Sequence, residues 1–245
     1  MTSTNNNSNN VALVIGVGPG IGSAVAHKFA SEGFKIGLIS RTQDKLDTVS
    51  QSISKLYSNA IISSATADAG NEQSLRQGIQ HIVKKLGNIT VLMYNAGGYV
   101  RGGVLDVRPS ELTNALNVGT VGLLTACQEV LPHMLQHKRG TILVTGATAS
   151  LRGGAKFLGL STPKGGTRNL TQSIAREVQP QGIHVAHIII DGQVSTPQQV
   201  KNQPERSIDS FLSHTEIANQ YYNLYKQHHT TWTFEIDLRP YVEKW

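Results

Sequence analysis

The sequence contains a single cysteine, Cys127, among 245 residues. No intrachain disulfide can therefore form, and nothing indicates an oxidising compartment. No apolar run approaches the length of a membrane-spanning helix. The first ten residues, MTSTNNNSNN, lack the cationic and apolar blocks of a signal peptide and predict a disordered polar tail over residues 1–10. These absences favour a cytoplasmic protein without a membrane partner.

Acidic residues are fewer than basic ones. The chain has 16 Asp and Glu and 22 Lys and Arg, which gives a net charge of +6. A basic excess can indicate nucleic-acid binding, but the cations here are scattered and the longest run is Lys84-Lys85. We therefore expect no nucleic-acid partner, and an anionic cofactor would account for part of the excess. The length and the 39% of hydrophobic residues suit a single domain over residues 11–245.

Short apolar runs rich in Val and Ile alternate with longer stretches of helical spacing. Strands that are apolar on both faces and separated by helices predict a parallel sheet covered on both sides. The predicted fold class is therefore α/β, a doubly wound parallel sheet of the Rossmann-like type in a single domain. The predicted strands are residues 11–16, 35–40, 60–65, 89–95, 141–145 and 183–190.

The C-terminal part of the chain has a different pattern. Residues 198–210 are polar and predict a loop. Ser213 and Glu216 have the spacing of a capping box, which predicts that a helix begins there. Apolar and polar residues then alternate over residues 232–239, which predicts a last strand.

The first predicted strand leads into Gly16-Val17-Gly18-Pro19-Gly20-Ile21-Gly22 and then into an amphipathic helix. Glycines let the backbone turn tightly and approach a pyrophosphate, and the helix N-terminus offers free N–H donors. A glycine-rich turn is also common between a strand and a helix that bind nothing. After the first strand of a parallel sheet, however, it predicts a dinucleotide-binding loop.

Several polar and glycine residues follow this loop in the sequence, some of them shortly after a predicted strand. They are Asp68 after the third strand, Asn95-Ala96-Gly97 after the fourth, Asn117, Lys164, Asp191-Gly192 and Thr196. Together with the spacing Gly-x-x-x-Gly-x-Gly, this order resembles the short-chain dehydrogenase/reductase superfamily. The resemblance extends from about Val11 to Thr196, with Asp191-Gly192 standing where the family usually has Pro-Gly.

The resemblance implies a bound nicotinamide dinucleotide. The second strand ends at Arg41 without an acid, whereas NAD sites place an acid there for the ribose hydroxyl. A guanidinium makes a paired contact with phosphate, so Arg41 favours NADP(H) over NAD(H), unless it is simply a solvated side chain before the next helix. The implied cofactor-binding residues are Gly16, Gly18, Gly20, Ile21, Gly22, Arg41, Asp68, Asn95, Gly97, Lys164 and Thr196.

In the resembled family a serine, a tyrosine, a lysine and an asparagine form the catalytic centre, and the tyrosine phenol is the general acid or base. Lys164 and Asn117 match the lysine and the asparagine. The tyrosine position holds Leu160 and the serine position holds Ala147, and neither side chain can donate or accept a proton. The resemblance therefore implies an atypical member that lacks the active-site Tyr and Ser.

Thr148 follows the serine position and can stand in for the serine if the end of the strand shifts. Two side chains are candidates for the missing proton donor. Tyr99 lies in the loop after the Asn-Ala-Gly turn, where parallel sheets bind ligands. Lys164 itself can act if burial lowers its pKa. The position of Tyr99 is more typical of a loop aromatic side chain packed at the rim. Arg152 and Lys156, in the preceding loop, suit an anionic substrate.

Pro163 directly precedes Lys164, and proline is tolerated chiefly near a helix start. The helix that carries Lys164 is therefore predicted to begin near Thr162 or to bend at its beginning. No metal is expected, because the histidines have no metal-ligand spacing with a third ligand.

The resemblance implies an NADP(H)-binding oxidoreductase with an unknown small-molecule carbonyl or alcohol substrate. The vacant positions leave open a catalytically inactive dinucleotide-binding protein, either a sensor or a scaffold, and a different reaction on the same fold. The family also implies a homodimer or homotetramer, formed through the helices predicted at residues 109–135 and 162–179.

Overall fold

The computed structural model describes residues 7–243, which form a seven-stranded parallel sheet with helices on both faces. Its strands are β1 (Val11–Ile15), β2 (Lys35–Ser40), β3 (Ile62–Thr66), β4 (Val91–Tyr94), β5 (Gly140–Thr145), β6 (Ile183–Ile190) and β7 (Glu235–Leu238). The order across the sheet is β3-β2-β1-β4-β5-β6-β7. This confirms the doubly wound parallel sheet, and most strand boundaries agree with the prediction to within one or two residues.

The helices connect successive strands and cover the two faces of the sheet. They are α1 (Ile21–Ser31), α2 (Gln43–Leu56), α3 (Glu72–Leu86), α4 (Pro109–Leu116), α5 (Gly122–Gln136), α6 (Leu158–Val178), α7 (Pro197–Asn202) and α8 (His214–Tyr225). Helices α1, α2 and α8 pack on one face, and α3, α5 and α6 pack on the other. Within residues 7–243, no helix combines the length and the apolar character needed to cross a membrane.

Strand β1 shows why these sequences form buried strands. Leu13 and Ile15 pack into the core on one face, whereas Ala12 and Val14 pack into the core on the other. Successive side chains of a strand point to opposite faces, so a strand covered on both sides must be apolar throughout. Burial of each large aliphatic side chain contributes about 1.5–3 kcal/mol. The buried strands therefore hold the loops at their carboxyl ends in fixed positions.

The topology places a crevice beside the end of β1. Strand β1 pairs with β2 on one side and with β4 on the other, so the chain winds in opposite directions from this point. The loops that leave β1 and β4 consequently diverge to opposite faces of the sheet. Open α/β sheets bind their ligands in the crevice outside the carboxyl ends of such strands.

The helix predicted over residues 109–135 is interrupted by a π-helical segment, Asn117–Val121, between α4 and α5. Its wider turn pairs the Gly122 N–H with the Asn117 carbonyl. The hydroxyl of Tyr94, which is buried at the end of β4, donates to the Val118 carbonyl. Helical periodicity continues through the segment, so the pattern of apolar residues alone could not reveal it.

Of the two alternatives predicted for the helix that carries Lys164, the late start near Thr162 is wrong, because α6 begins at Leu158 and contains Pro163. The proline ring removes one backbone hydrogen bond near the first turn. In return, Pro163 is buried against Gly119, and its carbonyl accepts hydrogen bonds from the hydroxyls of Thr120 and Thr167 at 3.1 and 2.8 Å. These local contacts and the packing of α6 on the sheet outweigh the lost hydrogen bond.

The loop predicted over residues 198–210 is partly helical, since α7 and a 3-10 turn at Ile208–Ser210 fall within it. Thr196 caps α7, because its hydroxyl accepts the Gln199 N–H at 3.2 Å. The helix predicted to follow is confirmed as α8, and Ser213 is its N-cap.

The last strand is β7, which begins at Glu235 rather than at Trp232. The intervening residues make local contacts instead of pairing in the sheet. Trp232 stacks on His184 with ring centroids 4.9 Å apart, and the Thr233 N–H bonds the side chain of Gln227 at 2.8 Å. An alternating pattern cannot distinguish such a packed turn from a strand.

The predicted polar tail is ordered at its C-terminal end. Asn7–Asn9 form a 3-10 turn, and the side chains of Asn7 and Asn10 are buried and joined by a hydrogen bond of 3.0 Å. The prediction of disorder is therefore corrected for residues 7–10. Residues 1–6 of the predicted tail lie outside the described residues.

Candidate active site

A cavity of about 450 Å³ opens at the carboxyl ends of β1, β2 and β4, where the topology places a ligand crevice. Six of the residues predicted from the sequence line it. They are Gly16, Arg41, Asp68, Asn95, Gly97 and Tyr99. The remaining predicted residues lie outside its lining: Gly18, Gly20, Ile21 and Gly22 at the glycine loop and the start of α1, Asn117 in the π-helical segment, Thr148 after β5, Lys164 on α6 and Thr196 before α7.

The loop after β1 is held tightly against the turn that follows β4. Gly16 has a φ of +94°, and a Cβ added there would lie 2.5 Å from the backbone nitrogen of Ala96. The side-chain amide of Asn95 donates to the Gly16 carbonyl at 2.9 Å. Only glycine combines this backbone conformation with this close approach. Asn95 therefore acts through the loop, by fixing its position.

The glycine loop leads into the N-terminus of α1, which begins at Ile21 without a side-chain cap on its N–H groups. A Cβ at Gly18 would have no atom within 4 Å, so the loop is open to solvent at this position. Thr196 packs close to Gly20, where an added Cβ would lie 3.0 Å from its methyl group. Open space and uncapped N–H donors fit the pyrophosphate of a dinucleotide.

The end of β2 brings two cations to the cavity. Arg41 and Lys45 are exposed and line it, together with the hydroxyl residues Ser40 and Thr42. Neither cation forms an ion pair with another described residue. Lys45 was not predicted from the sequence. Its position four residues after Arg41, at the start of α2, could have indicated a second cation near the cofactor.

Acidic side chains occupy other parts of the cavity wall. Asp68, after β3, uses one carboxylate oxygen to accept the Gly70 N–H at 2.9 Å. Glu111, in the first turn of α4, also lines the cavity and pairs with Arg108 at 2.9 Å. The cavity therefore has a cationic wall at β2 and acidic groups at β3 and α4.

Lys164 reaches the carboxyl end of the sheet from α6. Its ammonium donates to the Thr145 carbonyl at 2.6 Å. It also lies beside Gly97, where an added Cβ would be 3.7 Å from Nζ. Desolvation lowers the pKa of Lys164 from 10.5 to about 8. Both the ammonium and the neutral amine are therefore populated near this pH, as general acid–base catalysis requires.

Leu160 and Lys164 lie on the same continuous helix, four residues apart and on one face. Leu160 thus presents an aliphatic side chain on the face that carries the lysine. Ala147 follows β5, and its backbone N–H donates to the Ser150 hydroxyl at 3.1 Å. Neither the Leu160 nor the Ala147 side chain can exchange a proton.

The other candidate residues have different surroundings. The Thr148 hydroxyl donates to the carboxylate of Asp191, which also pairs with Arg239 at 2.7 Å. Tyr99 lines the cavity and is 56% exposed. Asn117 begins the π-helical segment, and its carbonyl accepts the backbone N–H of Gly122, the first residue of α5. Among these residues, Lys164 is the one that combines a position at the sheet edge with a pKa suited to proton transfer.

Two hydroxyls near the end of β5 were not singled out from the sequence. The Tyr221 hydroxyl bonds that of Thr145 at 2.7 Å, and Ser150 accepts the backbone N–H after β5. Tyr221 is buried, and desolvation raises the pKa of its phenol. Both hydroxyls are therefore already engaged, and the phenol is a poorer proton donor than a free tyrosine.

Comparison with known proteins gives the same family as the motifs in the sequence. The model of the family described as short chain dehydrogenase matches residues 10–207. A glucose 1-dehydrogenase of Gluconobacter oxydans is 30% identical over 186 residues, which cover 76% of this chain and 69% of that protein.

Solved structures show the same fold over nearly the whole chain. A short-chain dehydrogenase from Rhodopseudomonas palustris has a TM-score of 0.81 and 32% identity, with 95% of this chain and 99% of that chain covered. A metagenomic short-chain oxidoreductase in complex with NADP has a TM-score of 0.81 at 23% identity, with 96% and 99% covered. With its sheet order, its glycine loop and these matches, the chain belongs to the short-chain dehydrogenase family of oxidoreductases.

Proposed function

We propose that this protein is an NADP(H)-dependent oxidoreductase that interconverts a carbonyl compound and an alcohol, with the Lys164 amine in place of the usual phenol. The observation that carries the proposal is the position of Lys164. Its amine lies at the sheet edge beside Gly97, which lines the dinucleotide cavity, and desolvation lowers its pKa to about 8.

The choice of NADP(H) is supported by the cationic wall at the end of β2. Arg41 and Lys45 line the cavity without ion-pair partners among the described residues, so both can contact a 2′-phosphate. No acid stands at this strand end to bind a ribose hydroxyl. The NADP complex of the metagenomic oxidoreductase is consistent with this choice, because that protein has the same fold.

The nicotinamide, when bound, supplies or accepts the hydride. During carbonyl reduction, the Lys164 ammonium gives a proton to the substrate oxygen and becomes a neutral amine. During alcohol oxidation, the neutral amine takes the hydroxyl proton. The Thr145 carbonyl holds Nζ in place between these events, through the hydrogen bond of 2.6 Å. The lowered pKa makes both transfers accessible near neutral pH.

Binding without turnover, as in a sensor or scaffold, is the less favoured function. The relatives named above are dehydrogenases and oxidoreductases. A protein that only binds a dinucleotide could use Lys164 for cofactor contact, but it would not require an amine whose pKa is lowered to about 8. Burial of an ammonium is costly, so its retention supports a chemical role.

The first test is a calorimetric titration of the protein with NADPH and with NADH. We expect NADPH to bind more tightly than NADH. Arg41→Ala should weaken NADPH binding by roughly 10- to 100-fold, which corresponds to one charge-assisted contact, and should leave NADH binding unchanged. Lys45→Ala should act in the same direction. Lys55→Ala, in the last turn of the same helix as Lys45 and outside the cavity lining, is the matched control.

The second test is consumption of NADPH in the presence of a panel of aldehydes and ketones. Turnover of any of them supports the proposed activity. Tight NADPH binding with no turnover across the panel would favour the binding-only function instead. If neither dinucleotide binds, the proposal as a whole is wrong.

We also propose that the protein forms a homodimer or homotetramer. The support is the exposure of Val121 and Leu124 on the helix that the family uses for association, at 46% and 41%. Light scattering of the purified protein measures the oligomeric state, and a monomer at micromolar concentration would contradict the proposal.

A further inference from the structure

The loop that follows β4 and the loop that follows β5 are joined beside the start of α6. Gly102 and Phe157 form an isolated parallel bridge, and the Gly102 N–H donates to the Lys156 carbonyl at 3.1 Å. The first turn of α6 packs against the same loop, since a Cβ added at Gly159 would lie 2.5 Å from the Val100 carbonyl oxygen. The two loops therefore form one continuous wall beside the N-terminal end of α6.

This wall connects the dinucleotide cavity with the helix that carries the proposed proton donor. Tyr99 and Val100 line the cavity, and the bridged segment follows them directly. Phe157 is the N-cap of α6, and Lys164 lies seven residues later on the same helix. At 1.5 Å per residue the two are separated by about 10 Å along the helix axis. A substrate that reaches Lys164 can therefore also contact the bridged segment.

The residues directly before the bridged pair are both cations, Arg101 and Lys156. Parallel pairing places their backbones side by side. Both side chains are exposed, and neither forms an ion pair with another described residue. Asp106, on the same loop as Arg101, uses its carboxylate to accept the Gly103 N–H at 2.8 Å. Like charges on neighbouring strands repel each other, so this pair is unfavourable unless an anion lies between them.

The conformation of this segment also favours a ligand site. Lys156 has a φ of +64°, in the left-handed region that glycine and asparagine adopt more readily than lysine. Backbone outliers of this kind cluster at sites that bind ligands. The Arg101 guanidinium carbon lies 5.8 Å from the centroid of the Phe157 ring, so an aromatic face holds this cation without a carboxylate.

We propose that Arg101 and Lys156 bind an anionic group of the substrate, which is therefore a carbonyl compound or alcohol that carries a carboxylate or a phosphate. A guanidinium and an ammonium both form charge-assisted hydrogen bonds with these two groups. Because the cations flank the N-cap of α6 and Lys164 lies further along it, the anionic group stands several bonds from the reacting carbon. The inference rests on the proposed function, in which Lys164 moves the proton.

The binding test is a calorimetric titration of the protein with phenyl phosphate and with benzoate, and benzamide is the neutral control. We expect the anions to bind, with the tighter one identifying the preferred group. Arg101→Ala and Lys156→Gly should each weaken that binding by about 10-fold, the effect of one charge-assisted contact. Lys156→Gly removes the charge and suits the positive φ, so it should keep its melting temperature.

Two further variants locate the bound anion. Arg139→Ala is the matched control, because Arg139 is also an exposed arginine without an ion pair among the described residues but precedes β5, at the opposite end of the sheet. Arg41→Ala tests the cationic wall at β2. We expect neither variant to change the affinity for the anions. Binding that is lost only in Arg41→Ala, or no binding of either anion, would overturn the inference.

Kinetics separate this inference from the proposed function. Levulinate and its methyl ester share one ketone and differ in charge, so an active enzyme should have a kcat/KM about 10-fold higher for the acid. In Arg101→Ala this preference should disappear through a higher KM for the acid. Equal use of acid and ester by an active wild-type enzyme would overturn the inference and leave the proposed function standing. Anion binding that depends on Arg101, in a protein that never consumes NADPH, would support the anion site and contradict the proposed function.

Discussion

Carbonyl reduction by this protein should slow as the pH rises above about 8. In the proposed mechanism reduction requires the Lys164 ammonium, and desolvation lowers the pKa of this amine from 10.5 to about 8. Below this pH the amine carries its proton and the rate of reduction should be independent of Lys164 titration. Above it, each further pH unit should lower the rate about tenfold. Alcohol oxidation requires the neutral amine and should show the opposite dependence.

The magnitude follows from the environment of the lysine. A pKa lowered from 10.5 to about 8 means that the folded protein destabilises the ammonium, relative to the neutral amine, by roughly 3 kcal/mol compared with a lysine in water. The hydrogen bond to the Thr145 carbonyl at 2.6 Å stabilises the ammonium and limits this destabilisation. The amine is therefore expected to titrate in a pH range where most proteins are stable. The alkaline limb of the pH–rate profile, in which the rate falls as the pH rises, can therefore be measured.

The assay is the initial rate of NADPH consumption at saturating cofactor, measured from pH 6 to pH 10 with a carbonyl substrate found in the panel. Lys164→Arg keeps the positive charge, and its guanidinium does not lose a proton at any pH of the assay. It should remove the limb near pH 8 and lower the rate by roughly 100- to 10,000-fold, the usual contribution of a general acid. A limb near pH 8 that persists in Lys164→Arg would refute the assignment of the proton to Lys164.

Three further predictions concern the residues around the lysine. Gly16→Ala should lower the melting temperature and abolish NADPH binding, as followed by calorimetry, because its φ is +94° and the new Cβ would lie 2.5 Å from a backbone nitrogen. Leu160→Tyr combined with Ala147→Ser should raise NADPH turnover at neutral pH, since a phenol then shares a helix face with the lysine; no gain in rate would mean that the acid was not limiting. Tyr99→Phe should leave the rate unchanged within about twofold, because proton transfer is assigned to the lysine; a large loss would transfer that role to Tyr99.

The fold was predictable because its determinants are local and repeated. A strand such as β1 is apolar at every position, and this pattern belongs to a parallel sheet buried on both faces. The glycine loop was predictable for a related reason, since its glycines directly follow the first strand, and the structure shows the local requirement as a φ of +94° at Gly16. In each case one short segment of sequence contains the whole physical requirement.

Features that depend on distant partners escaped prediction. The π-helical segment Asn117–Val121 has an ordinary helical pattern, and the Tyr94 hydroxyl that bonds it comes from a separate strand. The helix through Pro163 persists because contacts from the neighbouring helical segment and the sheet outweigh one lost hydrogen bond. Sequence periodicity reports which faces are apolar, but it does not report which groups meet there.

The residues of the candidate site also divide into those that could be predicted from a short segment and those that depend on distant partners. The role of Arg41 was predicted from its place after a strand, whereas Lys45 enters the cavity only because α2 begins between them. The lowered pKa of Lys164 depends on its burial where α6 meets the end of β5 and the turn at Gly97, which are distant in sequence.

A single-turnover measurement tests the central claim most directly. Wild-type protein and Lys164→Met are each saturated with NADPH, mixed with a carbonyl substrate and followed by the absorbance of the reduced nicotinamide. The account predicts that the wild-type protein oxidises its bound NADPH, and that Lys164→Met binds NADPH but oxidises it at least 100-fold more slowly, roughly the minimum contribution of a general acid. Equal rates in the two proteins, or no oxidation by the wild-type protein with any substrate in the panel, would contradict it.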